Sequence, residues 1–137
     1  PVVTTSGGQR LKVIAGEFHG ARGPIENVEA EPVYVDLELA AGGRETLALP
    51  AGHNAFVYCY EGAVDVGEGD VARVGHRRLA VLSAGDTVSI AAVDGPARVI
   101  VVAGKPFGEP VARYGPFVMN TREELVQAVD DLRNGRF

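Results

Sequence analysis

The chain has 137 residues, 46% hydrophobic and 23% charged, which suits one packed domain and argues against disorder. Thirteen Lys and Arg against eighteen Asp and Glu leave a formal charge of −5, without any basic block that would suit nucleic acid. Apolar runs fall far short of the roughly 18–20 residues that span a bilayer, while eighteen glycines and eight prolines favour short strands over long helices.

Residues 1–10 (PVVTTSGGQR) read as a linker or N-terminal arm, rich in Thr, Ser and Gly and without a signal-type apolar stretch. The first residue is Pro1 rather than Met, so the expectation is a domain that follows something upstream. Residues 12–15 (KVIA) form the first expected strand. Residues 32–39 (PVYVDLEL) then alternate, with Val33, Val35, Leu37 and Leu39 on one face and Tyr34, Asp36 and Glu38 on the other, a strand with one buried and one wetter face. Gly42-Gly43 leads into 45–49 (ETLAL). Residues 55–60 and 63–66 flank Glu61-Gly62, read as a hairpin turn. Strands at 79–82, 87–91 and 98–103 follow, separated by Ala84-Gly85-Asp86 and Asp94-Gly95-Pro96. Seven or eight short strands at this spacing imply an all-β sandwich or barrel.

The pattern then changes. Pro106, Gly108, Pro110, Gly115 and Pro116 mark an irregular stretch, poorly suited to a central strand. Thr121 and Glu124 are spaced as a capping box, Leu125, Ala128, Val129 and Leu132 follow at helical spacing, and Gly135 is placed to end the helix. Three turns of helix are too few to be stable alone in water, so this one should dock on the β domain or on a neighbour. The expected organisation is therefore an arm at 1–10, a barrel at 11–104, and an irregular segment with its helix at 105–137 completing the domain.

Chemistry-bearing residues are sparse. Cys59 is the single cysteine and lies in an apolar strand pattern, so it reads as a small buried hydrophobe in a reducing cytoplasm. The three histidines, His19, His53 and His76, form no chelating pair at short spacing. His19 and His76 read as solvated loop residues, and His53, leading into an apolar strand, is the best candidate of the three. Gly67-Glu68-Gly69-Asp70 reads as a hairpin end rather than a phosphate loop, because two acids occupy it and no helix follows. Asp36 and Glu38 belong to the wet face of their strand, and Arg77 and Arg78 to a solvated edge.

A proline-glycine corner, a strand ending in Glu61-Gly62, a hairpin, and Leu82-Ser83-Ala84-Gly85-Asp86 leading into another strand together resemble the cupin superfamily. The resemblance implies a jelly-roll (double-stranded β-helix) barrel of two antiparallel sheets with one short C-terminal α-helix. It places the family's metal-binding Glu near Ala55, its paired His near residues 49–51, and its second-motif His within 93–97. None of these positions carries the expected ligand. The strand face of Ala55, Val57 and Cys59 would instead line a small apolar lumen.

The tail narrows the resemblance. Ala103-Gly104-Lys105-Pro106, Glu109-Pro110-Val111, and above all Tyr114-Gly115-Pro116-Phe117-Val118-Met119-Asn120-Thr121 closely resemble the end of the pirin family, over a match running from Val13 to Phe137. Pirins are bicupins, so the resemblance implies a C-terminal cupin domain whose parent carries iron or another divalent metal in its N-terminal domain. Several members resemble quercetin 2,3-dioxygenases, and eukaryotic members act as nuclear transcription coregulators.

Three readings follow. The chain is the non-catalytic half of a dioxygenase-like bicupin, an interaction or coregulator module, or a metal-free cupin for a small apolar ligand. The first is favoured, with no metal or other cofactor in this chain, no catalytic residue, no nucleic-acid or membrane partner, and the N-terminal cupin as its partner. Phe56, Tyr58 and Tyr60 alternate with Val57 and Cys59, so both faces of that strand require cover, from the terminal helix, the N-terminal arm or another domain. The isolated chain is therefore expected to self-associate, to purify without stoichiometric iron, nickel or zinc, and to show no flavonol oxidation.

Overall fold

The computed structural model describes residues 1–26 and 28–136; Asn27 and Phe137, the last residue of the pirin resemblance, lie outside that description. The stretch expected as a linker or arm contains a strand, β1 (Val2–Thr4), paired antiparallel with β2 (Arg10–Ala15). Gln9 secures this corner. It is 4% exposed; its Oε1 accepts the Ala40 N–H at 2.9 Å and its Nε2 donates to the Gly7 carbonyl at 2.8 Å. Gly43 lies so close that a Cβ there would collide with the Gln9 amide. A small hairpin of β3 (Glu17–Phe18) and β4 (Ala21–Arg22) turns at His19-Gly20, both with positive φ.

In β5 (Val33–Leu39) the expected alternation is complete: Val33, Val35, Leu37 and Leu39 are buried while Tyr34, Asp36 and Glu38 are half-buried. β6 (Arg44–Ala48), β7 (Asn54–Val66), β8 (Ala72–Val74), β9 (Arg78–Val81) and β10 (Thr87–Gly104) complete the barrel. Gly67-Glu68-Gly69-Asp70 is the hairpin end between β7 and β8, as its composition implied.

Two of the expected turns are not chain reversals. β7 runs straight through Glu61-Gly62, and β10 runs through Asp94-Gly95-Pro96. The two strands pair antiparallel from Val66 opposite Ile90 to Asn54 opposite Gly104, with a register break between Val93 and Val99. The reason is competition for partners: the halves of β7 find β10 rather than each other. At the break Gly62 adopts φ 72°, and its missing side chain leaves room for the Pro96 carbonyl. The long strands thus bend together. One end belongs to a layer ordered β1-β2-β5-β10-β7-β9, and the other to a layer ordered β6-β10-β7-β8. A single core fills the space between, with Leu11, Leu37, Val57 and Val99 from the first layer and Leu47, Val64 and Ile90 from the second.

The chain divides into two compact units, Pro1–Pro106 and Phe107–Phe137. In the second, the stretch expected to be irregular forms β11 (Ala112–Tyr114) and β12 (Phe117–Met119), paired across Gly115-Pro116, where a proline removes no ladder bond. The helix α1 (Arg122–Arg133) starts at the expected capping box: Thr121 Oγ1 accepts from Glu124 N at 3.2 Å and Glu124 Oε2 accepts from Thr121 N at 2.8 Å. These bonds hold the Glu124 carboxyl below the usual range, the Thr121 N–H first and the Asn120 N–H second. Leu125 and Ala128 are buried, whereas Val126 and Leu132 are exposed. Among the described residues no helix is long and apolar enough to cross a membrane.

Candidate functional site

The connection from β6 to β7 carries Leu49 and His53, fixed by Leu49 N donating to Asp86 O at 2.7 Å and His53 N to Pro50 O at 3.2 Å. These two residues line both of two adjoining cavities. One, of about 310 Å³, includes Ala55, Val66, Leu82, Val88 and Ser89; the other, of about 680 Å³, includes Phe18, Ile25, Val28 and Glu31. Among the described residues the buried His53 Nδ1 has no hydrogen-bond partner. His19 and His76 lie at the exposed surface.

The residues at the cupin ligand slots do not fit a metal. Leu49 is buried, Pro50 and Ala51 form an exposed turn, and Ala55 is half-buried at the start of β7. The second-motif window, 93–97, falls on the bend of β10. Its one carboxylate, Asp94, is 86% exposed and lies 3.4 Å from Arg73. Among the described residues no three His, Cys, Asp or Glu side chains gather where they could share an ion.

Of the residues expected at an apolar lumen, Val57 and Cys59 are fully buried in the core, while Ala55 borders the smaller cavity. Cys59 Sγ donates to the carbonyls of Glu61 and Gly62 at 3.3 and 3.4 Å. Burial raises the thiol pKa more than the Glu61 contact lowers it, which disfavours the reactive thiolate at Cys59.

The opposite face of the same layer is polar at one end and aromatic at the other. Tyr60 donates its hydroxyl to Asp36 Oδ1 at 2.6 Å, and Arg98 stacks over the Tyr60 ring at 5.4 Å while bonding Glu38 at 2.6 Å. Burial first, and the Asp36 carboxylate second, push the Tyr60 hydroxyl well above the usual tyrosine range. Arg10 reaches the other oxygen of Glu38 at 2.7 Å. Further along, Phe56 and Tyr58 are half-buried, and opposite them stand Val81 and Leu79, 79% and 51% exposed. Sequence reasoning placed Phe56, Tyr58 and Tyr60 on one face but missed Leu79 and Val81 beside them, whose signal was their alternation in a short strand next to Arg77-Arg78.

The tail signature is the β11–β12 hairpin and the helix cap. Tyr114 and Phe117 pair across Gly115-Pro116, Val118 and Met119 complete β12, and Asn120 and Thr121 hold Glu124. Asn120 Nδ2 also donates to Glu109 at 3.0 Å. These contacts account for the signature as local structure.

Residues 34–137 match the model of the Pirin C-terminal cupin domain. The chain is 45% identical, over 98% of its length and 48% of the relative's, to a Pseudomonas aeruginosa protein provisionally named a quercetin 2,3-dioxygenase. It is 42% identical to a pirin-like protein of Caulobacter vibrioides, over 100% of its own length and 49% of that protein's. A crystal structure of quercetin 2,3-dioxygenase from Acinetobacter baumannii superposes with a TM-score of 0.86 at 35% identity, covering 99% of this chain and 46% of that one. The cupin fold expected from the strand order is thereby established, and the chain spans about half the length of the relatives it matches.

Proposed function

This chain belongs to the pirin family through its C-terminal cupin domain, and from that premise we propose that it is the metal-free, supporting half of a two-cupin protein. The observation that carries the reading is the side-chain chemistry at the ligand slots. Leu49, Pro50, Ala51 and Ala55 offer no metal-binding atom in their side chains, and the one carboxylate of the 93–97 window, Asp94, faces solvent beside Arg73. The half-length match supports the rest: the remaining length of the relatives supplies a place for an N-terminal cupin, which would bind iron or another divalent metal and carry any dioxygenase-like activity. In such a protein this domain contributes shape and contact rather than chemistry.

Elemental analysis tests this directly. The 137-residue chain, offered iron, nickel and zinc in turn and then desalted, is expected to retain far less than one equivalent and to leave a flavonol unoxidised. Retention near one ion per chain would overturn the reading and direct attention to His53. A second reading, a cupin for a small apolar ligand, is favoured by the two cavities that meet at Leu49 and His53. It predicts that an apolar fluorescent probe is displaced on substituting Leu49→Asp, with no metal required.

A further inference from the structure

The smaller of the two cavities, about 310 Å³, is framed by backbone bonds on three sides. Leu49 N donates to Asp86 O at 2.7 Å, Leu82 N to Ala55 O at 2.9 Å, and Gly67 N to Ser89 O at 2.9 Å. The β6–β7 connection, the β9–β10 connection and the turn between β7 and β8 are each tied in this way to a segment distant in sequence. Such a pocket is shaped before any ligand arrives, and its volume lies at the low end of ordinary small-molecule sites. The buried part of its wall is apolar: Leu49, Val66 and Val88 are buried, with Ala55 half-buried beside them. The exposed part is different, because the turn carries Glu68 and Asp70. Gly67, at φ 111°, brings this turn so close on itself that a Cβ there would stand 2.9 Å from Asp70 O.

Two properties of this wall select an occupant. The first is charge. Among the described residues no Arg or Lys lines the cavity, and neither Glu68 nor Asp70 takes part in an ion pair. Elsewhere on the molecule Glu17, Glu38 and Asp65 are each met by an arginine. The larger cavity also differs, since Arg22 is part of its wall. An anion entering the smaller cavity would give up water and meet two like charges with no counter-charge, whereas a cation is attracted. The second property is an unused polar group. His53 belongs to the same wall, and its buried Nδ1 has no partner among the described residues. The hydroxyl of Ser89, by contrast, is already engaged by Thr46 at 3.2 Å.

We propose that the smaller cavity binds a small organic cation, an ammonium group carried on an apolar body. The ammonium takes the rim that bears Glu68 and Asp70, and the apolar body takes the wall of Leu49, Ala55, Val66 and Val88. The inference rests on the small-ligand reading above and adds a charge to it. Burial of the apolar body supplies affinity, and the two carboxylates decide which molecules of that size are accepted. Both carboxylates are exposed, so the selectivity is strongest at low ionic strength and fades as salt is added.

Calorimetric titration of the 137-residue chain with three probes of similar size tests it: phenethylamine, phenethyl alcohol and phenylacetate. At low salt the amine, protonated at neutral pH, is expected to bind about tenfold more tightly than the alcohol, and phenylacetate more weakly than either. The pair Glu68→Gln and Asp70→Asn, both at exposed positions, should leave the melting temperature unchanged. It should also bring the amine down to the affinity of the alcohol and leave the alcohol as it was. Amide shifts on adding the amine should gather at Ala55, Leu82 and Val88, with β11 and β12 unmoved. Equal affinities for amine and alcohol would overturn the proposed charge selection while the small-ligand reading stood. Failure of all three probes to bind would overturn both. An amine that binds the doubly substituted chain as tightly as the original, or that shifts Phe18 and Ile25 instead, would overturn the assignment to this cavity.

Discussion

The two compact units of the chain hold themselves together by different means. Residues of Pro1–Pro106 bury a continuous apolar cluster between two layers, and nearly every strand contributes to it. Among the described residues of Phe107–Phe137 only Leu125 and Ala128 are buried apolar residues, while Val111, Tyr114, Val118, Val126 and Leu132 are all exposed. The first unit is stabilised by burial, the second by capping, turn chemistry and local hydrogen bonds. The most family-specific sequence, from Tyr114 to Thr121, therefore lies in the unit with the smaller core. A signature of that kind records the requirements of a turn and a helix start as much as those of a site.

The contrast can be broken most forcefully at the bend of the barrel. Gly62→Ala would force a Cβ into a left-handed conformation and against the Pro96 carbonyl. Strain and overpacking together should cost about 3 kcal/mol. Urea titration of the 137-residue chain should show a lower midpoint with little change in slope; an unchanged midpoint would mean that the bend tolerates a side chain.

A smaller effect is expected at the helix cap, and it should stay within the second unit. Thr121→Ala removes the acceptor for Glu124 N and should cost the helix about 1 kcal/mol. Hydrogen exchange should quicken at the amides of α1 and remain unchanged in β5, β7 and β10. Equal acceleration in both units would show that the helix and barrel share one stability.

The gentlest test is pH, where the two units should respond at opposite ends. Glu124 has a lowered pKa, so its contribution to the helix is present above the ordinary glutamate range and is lost as pH falls through its folded value. Tyr60 has a raised pKa, so its contribution to the barrel is complete below the ordinary tyrosine value of about 10 and is lost as pH rises through the folded one. Helical circular dichroism should weaken first in acid, and the tyrosinate absorbance of Tyr60 should appear late in alkali. Ionisation of all tyrosines at the ordinary value would remove the Asp36 bond from the account.

The elements legible in the sequence were those decided locally. The alternation of β5 depends on seven consecutive residues, and the capping box on four, and both stand where residue type placed them. The side-chain chemistry at residues 49–51 and 55 is legible for the same reason, since an alanine or a proline lacks a metal-binding atom in any fold. What could not be read was settled by distant partners. Glu61-Gly62 carries the local chemistry of a hairpin, yet β10, some thirty residues on, decides that the strand continues. Gln9 looks like a linker residue until the Ala40 N–H is found beside it. Leu79 and Val81 gained meaning only from the register that sets them beside Tyr58 and Phe56.

The continuity of β10 has a consequence for how the barrel is made. This strand supplies a ladder to β5, β6 and β7, and it is the last barrel strand in the chain. During synthesis those three must wait with open edges until residues 87–104 have left the ribosome. Closing such sequence-distant pairs is slow, so the nascent barrel spends its vulnerable interval with β5 and β7 unzipped and their apolar faces bare. A ribosome stalled before Thr87 would carry a chain that aggregates, and one stalled well beyond Gly104 a chain that resists protease. The barrel cannot close before that one strand arrives.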